Sequence, residues 1–379
     1  MKIAVPAEAD DTRVAATPET VKKFVVLGGE VSVEASAGTG SRIADADYVA
    51  VGATIASDAA AALRNADIVL KVRRPREADL AAYKPGALVV ATMDPYGNEA
   101  ALRAMAATGI VAFAMELLPR ITRAQVMDVL SSQANLAGYQ AVIDAASHYG
   151  RAMPMMMTAA GTVPAARVFV MGAGVAGLQA IATARRMGAV VTATDVRPAA
   201  KEQVESLGAK FVAVEDDEFK QAETAAGYAK PMSAEYQAKQ AALVADHIKK
   251  QDIVITTALI PGRTAPRLVS AAMVASMRQG SVVVDLAVER GGNVEGARAG
   301  EVADSGGVKI VGYLNVPGRI AASASALYAR NLYAFVETLI DKSAKTIKVD
   351  WDDELVKATN LTRDGKVVHP AFSGEGAKA

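Results

Sequence analysis

Three glycines at a fixed spacing mark the region of this 379-residue chain that is best suited to chemistry. Gly172, Gly174 and Gly177 form a Gly-x-Gly-x-x-Gly pattern between an apolar strand-like run and a helix-like run. In such a turn the first glycine permits a tight bend and the second lets backbone N–H groups approach a pyrophosphate, while the third lets the helix pack on the strand. The pattern therefore predicts a dinucleotide-binding turn, with a purely structural turn as the alternative.

A carboxylate follows this turn at the distance expected for ribose recognition. Asp195 ends the next strand-like run, about 20 residues beyond Gly172. An acidic side chain at this position accepts hydrogen bonds from the adenosine ribose diol and repels a 2′-phosphate. The sequence therefore predicts NAD(H), rather than NADP(H), as the cofactor.

A second group of polar residues precedes the glycine turn. Gln125, Asp128 and Ser131 lie three residues apart and offer an amide, a carboxylate and a hydroxyl. On one starting helix they would share a face and could meet a single ligand. The same spacing is typical of a helix N-terminus, where the helix dipole favours Asp128. Spacing alone leaves both interpretations open.

Composition excludes several kinds of function. The chain has no cysteine, and its three histidines have no ligand spacing, so we expect no metal site. A formal net charge of zero gives no field that would attract nucleic acid. The N-terminal residues do not form a secretory signal and no apolar run is long enough to cross a bilayer, so we expect a cytoplasmic location.

Apolar runs recur at intervals suited to crossover helices. They predict an α/β fold with two Rossmann-like, doubly wound parallel sheets. The strands expected in the first sheet are 2–5, 30–34, 68–72, 87–91 and 110–114. Those expected in the second are 167–171, 190–194, 211–214, 253–257, 281–286 and 309–312.

Two long segments with few turn residues, 124–150 and 320–340, predict helices that join the two domains across a cleft. The resulting boundaries assign residues 1–126 and 320–379 to an N-terminal domain and 127–319 to the dinucleotide-binding domain. Within the tail, an Asp-Gly pair predicts a hairpin that returns to the first domain.

Two further segments allow more than one interpretation. Residues 215–252 are longer than a usual crossover, so we expect a mobile loop near 220–232 whose exposed Tyr228 closes over a ligand. A turn between two surface helices is the alternative. Four methionines just before the fingerprint strand could form an adaptable binding surface, but ordinary core packing is the prediction; they are Met153, Met155, Met156 and Met157.

Several motifs, in this order, resemble the alanine dehydrogenase and transhydrogenase family over essentially the whole chain. They are Arg13-Val-Ala-Ala-Thr-Pro18, Lys71-Val-Arg-Arg-Pro75, the glycine pattern, Ala258-Leu-Ile-Pro-Gly262 and the run from Asp285 to Gly292. The segment from 115 to 139 resembles the transhydrogenase branch, in which this loop meets the nicotinamide end of NAD(H). The matching positions here are Arg120, Gln125, Asp128 and Ser131. The residues around Tyr228 resemble the tip of that branch's mobile loop.

The resemblance also implies a cofactor-binding set and partners. The set is Gly172, Gly174, Val175, Ala176, Gly177, Asp195, Val196, Arg197, Ala258 and Leu259. The implied partners are a second copy of the chain in a homodimer, an NADP(H)-binding β subunit and a membrane-spanning proton-channel subunit. Through these partners the chain would lie on the cytoplasmic side of the membrane.

The choice of reaction depends on proton chemistry. Oxidation of an amino acid by NAD needs a group that takes up a proton. Alanine dehydrogenases carry a substrate-binding lysine where this chain has Arg73, which stays protonated, and a catalytic histidine near Met93-Asp94. Hydride transfer between two nicotinamides needs only positioning and exclusion of water.

The sequence therefore predicts the NAD(H)-binding subunit of a proton-translocating transhydrogenase, an oxidoreductase that needs partner subunits for full activity. An NAD-dependent alanine or amino-acid dehydrogenase is the alternative. A non-catalytic NAD-sensing module is the third possibility.

Overall fold

The computed structural model describes residues 1–221, 232–260 and 262–374. Tyr228 and most of the expected mobile loop lie outside the described residues. The chain divides into two compact units. Unit 1 comprises Met1–Gln133 and Pro317–Ala379, and unit 2 comprises Ala134–Val316. Each unit contains a large sheet, and the α/β class expected from the sequence is confirmed.

Unit 1 contains a six-stranded parallel sheet in the order β3-β2-β1-β4-β5-β6. Its strands are β1 (Lys2–Val5), β2 (Glu30–Glu34), β3 (Thr54–Ala56), β4 (Ile68–Arg73), β5 (Leu88–Thr92) and β6 (Val111–Ala114). Its helices are α1 (Pro18–Val26), α2 (Asp45–Val49), α3 (Ala59–Leu63) and α4 (Glu99–Ala107). The sequence analysis missed β3 because its three residues are partly exposed and form no apolar run.

A long helix, α5 (Val129–Tyr149), begins in unit 1 and continues into unit 2. Unit 2 begins with a hairpin and holds a seven-stranded sheet in the order β11-β10-β9-β12-β13-β15-β14. The strands are β7 (Met156–Thr158), β8 (Gly161–Val163), β9 (Arg167–Met171), β10 (Val190–Thr194), β11 (Lys210–Phe211), β12 (Ile253–Thr256), β13 (Val282–Asp285), β14 (Val302–Ser305) and β15 (Val308–Val311). The helices are α6 (Val175–Arg186), α7 (Ala200–Ser206), α8 (Asp217–Lys220), α9 (Ala234–Ile248) and α10 (Ala271–Ala275).

All neighbouring pairs in the second sheet are parallel except β14 with β15. The sequence analysis missed β14, an edge strand in which half-buried and exposed residues alternate. The central strands β9, β12 and β13 are almost wholly buried, as expected for parallel strands covered on both faces.

The C-terminal part of the chain returns to unit 1. It forms α11 (Ala321–Glu337), β16 (Ile340–Asp341), β17 (Thr346–Ile347), α12 (Glu354–Thr359), β18 (Thr362–Arg363) and β19 (Lys366–Val367). Helix α11 places Phe335 edge-on against Phe113 of β6, with ring centroids 5.5 Å apart. The expected tail hairpin is confirmed: β18 and β19 pair around Asp364 and Gly365, which both have positive φ angles.

The core prediction for the four methionines is correct for one and wrong for three. Met153 is buried, but Met155, Met156 and Met157 are 61%, 44% and 76% exposed. They lie on or beside the β7–β8 hairpin, which forms a separate two-stranded sheet with every strand residue exposed. A hairpin that pairs with no further strand of the described chain cannot bury its side chains within unit 2.

Candidate functional site

The three fingerprint glycines lie between β9 and α6, and each has a different steric reason for being glycine. Gly172 has a φ of +103°, which L side chains rarely adopt. A Cβ atom on Gly177 would lie 1.8 Å from the carbonyl oxygen of Gly172. A Cβ atom on Gly174 would meet nothing within 4 Å. Only Gly174 is therefore free of steric demands from the protein itself, which fits a position reserved for a ligand.

The turn lies at the switch point of the second sheet. Strand β9 stands between β10 and β12, and the chain reverses its direction of travel across the sheet there. Ligands of open α/β sheets bind in the crevice at the carboxyl ends of such strands. Gly174 is the N-cap of α6 and makes no side-chain cap, so the helix start presents backbone N–H groups at this edge.

The other expected cofactor residues belong to unit 2 as well. Val175 and Ala176 open α6, Asp195 to Arg197 follow β10, and Ala258 and Leu259 follow β12. Val175, Val196 and Leu259 are 41%, 51% and 52% exposed. The carboxyl ends of three adjacent strands therefore bring the whole expected set to one edge of the sheet.

Asp195 is placed beside the glycine turn. One carboxylate oxygen accepts the N–H of Ala173 at 2.7 Å. The backbone N–H and Nε of Arg197 donate to the other oxygen at 2.9 and 3.0 Å, and Nη2 donates to the first at 3.0 Å. The side chain of Asp195 is 7% exposed. A ribose hydroxyl that binds this carboxylate must therefore share it with the Arg197 guanidinium or displace it.

Two residues that support the turn escaped the sequence analysis. The hydroxyl of Thr257 donates to the carbonyl oxygen of Gly172 at 3.0 Å, which ties the end of β12 to the turn. The buried side chain of Asn293 accepts the N–H of Ala258 at 3.0 Å and donates to the carbonyl of the same residue at 2.9 Å. The only signal for Asn293 was its position directly after the Gly291-Gly292 pair.

The second set of expected residues lies in unit 1, and its secondary structure differs from the expectation. A 3₁₀ helix spans Thr122–Met127 and ends at Asp128, whose backbone is extended. Helix α5 starts only after it. Asp128 accepts the backbone N–H of Ser131 at 2.9 Å and its hydroxyl at 2.5 Å. The expectation of one continuous helix from residue 124 was wrong because Asp128 interrupts it and caps the following helix.

Within that set the structure brings only Asp128 and Ser131 together. Gln125 lies on the 3₁₀ helix and is exposed, and so is Arg120, which precedes it. The capping geometry explains Asp128 structurally. It does not explain an exposed amide at Gln125.

The histidines are engaged in packing contacts. His148 bonds to the hydroxyl of Tyr313 at 2.9 Å, and His247 to that of Thr192 at 2.8 Å. Burial lowers the pKa of His247 and of His369 below the ordinary value. Across the described ranges, no three His, Cys, Asp or Glu side chains are arranged to hold a metal ion. Among the same residues, no helix is long and apolar enough to cross a membrane.

Comparisons with known proteins agree with the geometry of the turn. The family models "Alanine dehydrogenase/PNT, N-terminal domain" and "Alanine dehydrogenase/PNT, C-terminal domain" match residues 4–137 and 141–370. The chain belongs to this family, and the resemblance inferred from its motifs is confirmed.

Three relatives show which branch of the family the chain resembles more strongly. An NAD(P) transhydrogenase subunit alpha chain of Rhodospirillum rubrum is 56% identical over 384 residues, which cover 100% of both chains. The crystal structure of a transhydrogenase from Sinorhizobium meliloti is 64% identical with a TM-score of 0.89, covering 97% of this chain and 100% of that one. The alanine dehydrogenase of Mycobacterium tuberculosis is 32% identical over 79% of this chain and 75% of its own length. The dehydrogenase is the more distant relative.

The fingerprint glycines provide a matched pair of substitutions. We expect Gly174→Ala to leave the thermal unfolding midpoint within about 2 °C of the original but to weaken NADH binding at least tenfold, because its methyl group occupies space that only a pyrophosphate needs. Gly177→Ala should lower the midpoint by about 5 °C or more, since its methyl group meets a backbone carbonyl. Thermal unfolding and NADH titration measure both. Tight NADH binding by Gly174→Ala would contradict the assignment of the turn.

Proposed function

We propose that this chain is the NAD(H)-binding subunit of a proton-translocating NAD(P) transhydrogenase and presents NADH for direct hydride transfer to NADP⁺ held on a partner subunit. The observation that carries the proposal is the glycine turn with Asp195 hydrogen-bonded to it. A carboxylate at this position favours a ribose diol over a 2′-phosphate, so one nucleotide binds here and the other must bind elsewhere. The high identity with named transhydrogenase subunits supports the same conclusion.

In this proposal the two sets of residues have different tasks. The set in unit 2, from Gly172 to Leu259, holds the adenosine and pyrophosphate. Arg120, Gln125, Asp128, Ser131 and Tyr228 align the nicotinamide ring. No proton donor or acceptor is required of them, because hydride passes from one C4 atom to another without net proton uptake. The protein then contributes position and exclusion of water.

The partners follow from the same reasoning. An NADP(H)-binding β subunit supplies the hydride acceptor, and a membrane-spanning subunit moves the protons and holds this chain at the cytoplasmic face. A mixing experiment tests the function. The chain with NADH should reduce an NADP⁺ analogue only when the NADP(H)-binding partner is added, and should not oxidise NADH with pyruvate and ammonium. NADH oxidation in the second mixture would instead support the amino-acid dehydrogenase.

Asp195→Ala should weaken NADH binding by about 1.5 to 3 kcal/mol, the usual value of hydrogen bonds to a charged group. It should also reduce discrimination against NADPH, because the guanidinium of Arg197 loses its carboxylate partner and can meet a 2′-phosphate. Titrations with NADH and NADPH measure both effects. Asp304→Ala is the control, since Asp304 accepts a backbone N–H in a surface turn of the same unit. Unchanged affinity and preference would remove Asp195 from the ribose site.

Gln125→Asn retracts the exposed amide by about 1.5 Å, a single-bond length. A misplacement of about 1 Å can cost roughly 100-fold in a reaction that depends on alignment. We therefore expect transhydrogenation with saturating partner to fall at least about tenfold, while NADH affinity changes less than about fivefold. Arg123→Lys on the same 3₁₀ helix is the control, since Arg123 pairs with Asp353 at the surface. Unchanged turnover in Gln125→Asn would assign the amide no role in hydride transfer.

The proposed homodimer is supported by the exposed methionines of the β7–β8 hairpin. A two-stranded sheet with an apolar surface is marginal in water unless something covers it. Met157→Lys should therefore shift the chain from dimer to monomer in sedimentation velocity, at a concentration about tenfold above the monomer detection limit. Val302→Lys, at an exposed apolar position on the edge strand β14, is the control and should not change the sedimentation. An intact dimer with Lys at 157 would exclude the hairpin as the interface.

A further inference from the structure

A buried cluster of charged residues in unit 1 lies apart from the dinucleotide turn. It follows β1, where the side chain of Asp11 is fully buried and that of Arg13 is 7% exposed. The guanidinium of Arg13 donates from Nε to one oxygen of Asp11 at 2.9 Å and from Nη2 to the other at 2.7 Å. Two parallel bonds of this kind are how arginine recognises a carboxylate group.

A second arginine meets the same carboxylate from the end of β4. Nε of Arg73 donates to the oxygen of Asp11 that already accepts Nη2 of Arg13, at 3.0 Å. The side chain of Arg73 is 44% exposed, so this arginine forms the solvent side of the cluster. Two positive charges therefore converge on one negative charge, with a path to water on one side.

The two arginines are held in place by groups other than Asp11. Nη1 of Arg13 donates to the side-chain oxygen of Gln133 at 2.8 Å, and its guanidinium lies 5.9 Å from the ring centroid of Tyr328. Arg73 belongs to β4 and is in register with Thr92 of β5. Asp11, in contrast, comes from the irregular segment that connects β1 to α1. The receptor groups are anchored on regular structure or its close neighbours, and the carboxylate is supplied by a loop.

The neighbouring charges do not provide an alternative partner for these arginines. Glu8 and Lys71 are both buried and pair with each other at 3.1 Å. The second oxygen of Glu8 accepts the backbone N–H of Val72 at 2.7 Å. Although burial lowers the pKa of Arg13, the hydrogen bond and charge of Asp11 raise it above the ordinary value. Asp11 is thus the anion on which the charge balance of the cluster depends.

We propose that Arg13 and Arg73 form a binding site for a small carboxylate, which the chain fills with its own Asp11. Asp11 is then the specificity-determining residue of this site, because it excludes carboxylic acids from solution. The inference concerns unit 1 alone and does not depend on which nucleotide the second unit binds.

Chemical rescue tests the proposal. Asp11→Ala removes the three non-hydrogen atoms of the carboxylate, and formate has the same three atoms. Thermal unfolding of the full chain is followed with sodium formate, with sodium chloride at equal ionic strength, and with neutral formamide. The ligand-efficiency limit for so small a molecule sets its dissociation constant at about 1 mM or weaker. At about 100 mM, formate should raise the unfolding midpoint of Asp11→Ala by about 2 to 5 °C above chloride.

Three controls make the result specific. The original chain should show no formate effect beyond that of chloride, and formamide should not replace formate. Asp79→Ala provides a matched variant, because Asp79 also accepts two bonds from one arginine, Arg76, but at the surface and without a second arginine. It should not respond to formate. The double variant Asp11→Ala/Arg73→Ala should lose most of the response.

The outcomes are decisive even if Asp11→Ala does not accumulate as a folded protein. In that case the yield of soluble protein on refolding is compared in formate and in chloride, and a clear gain in formate supports the site. The proposal is overturned if folded Asp11→Ala has the same midpoint in both salts. It is equally overturned if Asp79→Ala responds as strongly, or if formate gives no gain on refolding.

Discussion

The organisation of unit 2 depends on one close approach between backbone atoms. Helix α6 starts so near to the end of β9 that a Cβ atom on Gly177 would lie 1.8 Å from the carbonyl oxygen of Gly172. The same first turn of α6 is approached from α5, where a Cβ atom on Gly138 would lie 2.0 Å from the carbonyl oxygen of Ala176. Two bare positions therefore fix the helix start between a strand and a second helix. Its N–H groups point where a pyrophosphate can be met only because no side chain intervenes.

Carboxylates recur as ligands for the chain's own donors. Asp195 accepts four N–H groups, Asp128 accepts the N–H and hydroxyl of Ser131, and Asp11 accepts two arginines. In each case a buried or partly buried charge is stabilised by hydrogen bonds in addition to Coulomb attraction. For Asp195 this has a cost in binding, since a ribose must compete with the guanidinium of Arg197. A preorganised carboxylate and an available carboxylate are different properties.

The sequence was sufficient for those elements whose burial is uniform. Strands β1, β2, β9 and β10 have the bounds expected from their apolar runs, because buried parallel strands are apolar without interruption. Edge strands β3 and β14 were missed because their mixed exposure leaves no such run. The β7–β8 hairpin was mistaken for core, since a run of methionines is equally apolar whether the same chain or another molecule covers it. Composition does not record what covers a surface.

Local spacing was less informative about side-chain partners. The three-residue spacing of Gln125, Asp128 and Ser131 was compatible with a shared helix face, but a cap at Asp128 breaks the helix between the first and the others. The pairing of Asp11 with Arg73 joins residues from two strand ends, and only the order of strands in the sheet brings them together. Contacts of this kind depend on topology, which spacing along the chain does not contain.

The exposed methionines of the hairpin have a consequence for the redox chemistry of the chain. Because the sequence contains no cysteine, methionine is the sulfur that an oxidant meets first. Met93, Met105, Met127 and Met171 are buried, whereas Met155, Met156 and Met157 carry accessible thioethers. Oxidation to the sulfoxide would turn an apolar surface into a polar one without altering the buried core. The hairpin is thus the place where oxidative damage, and its repair by sulfoxide reductases, would change how this chain associates before it changes how it folds.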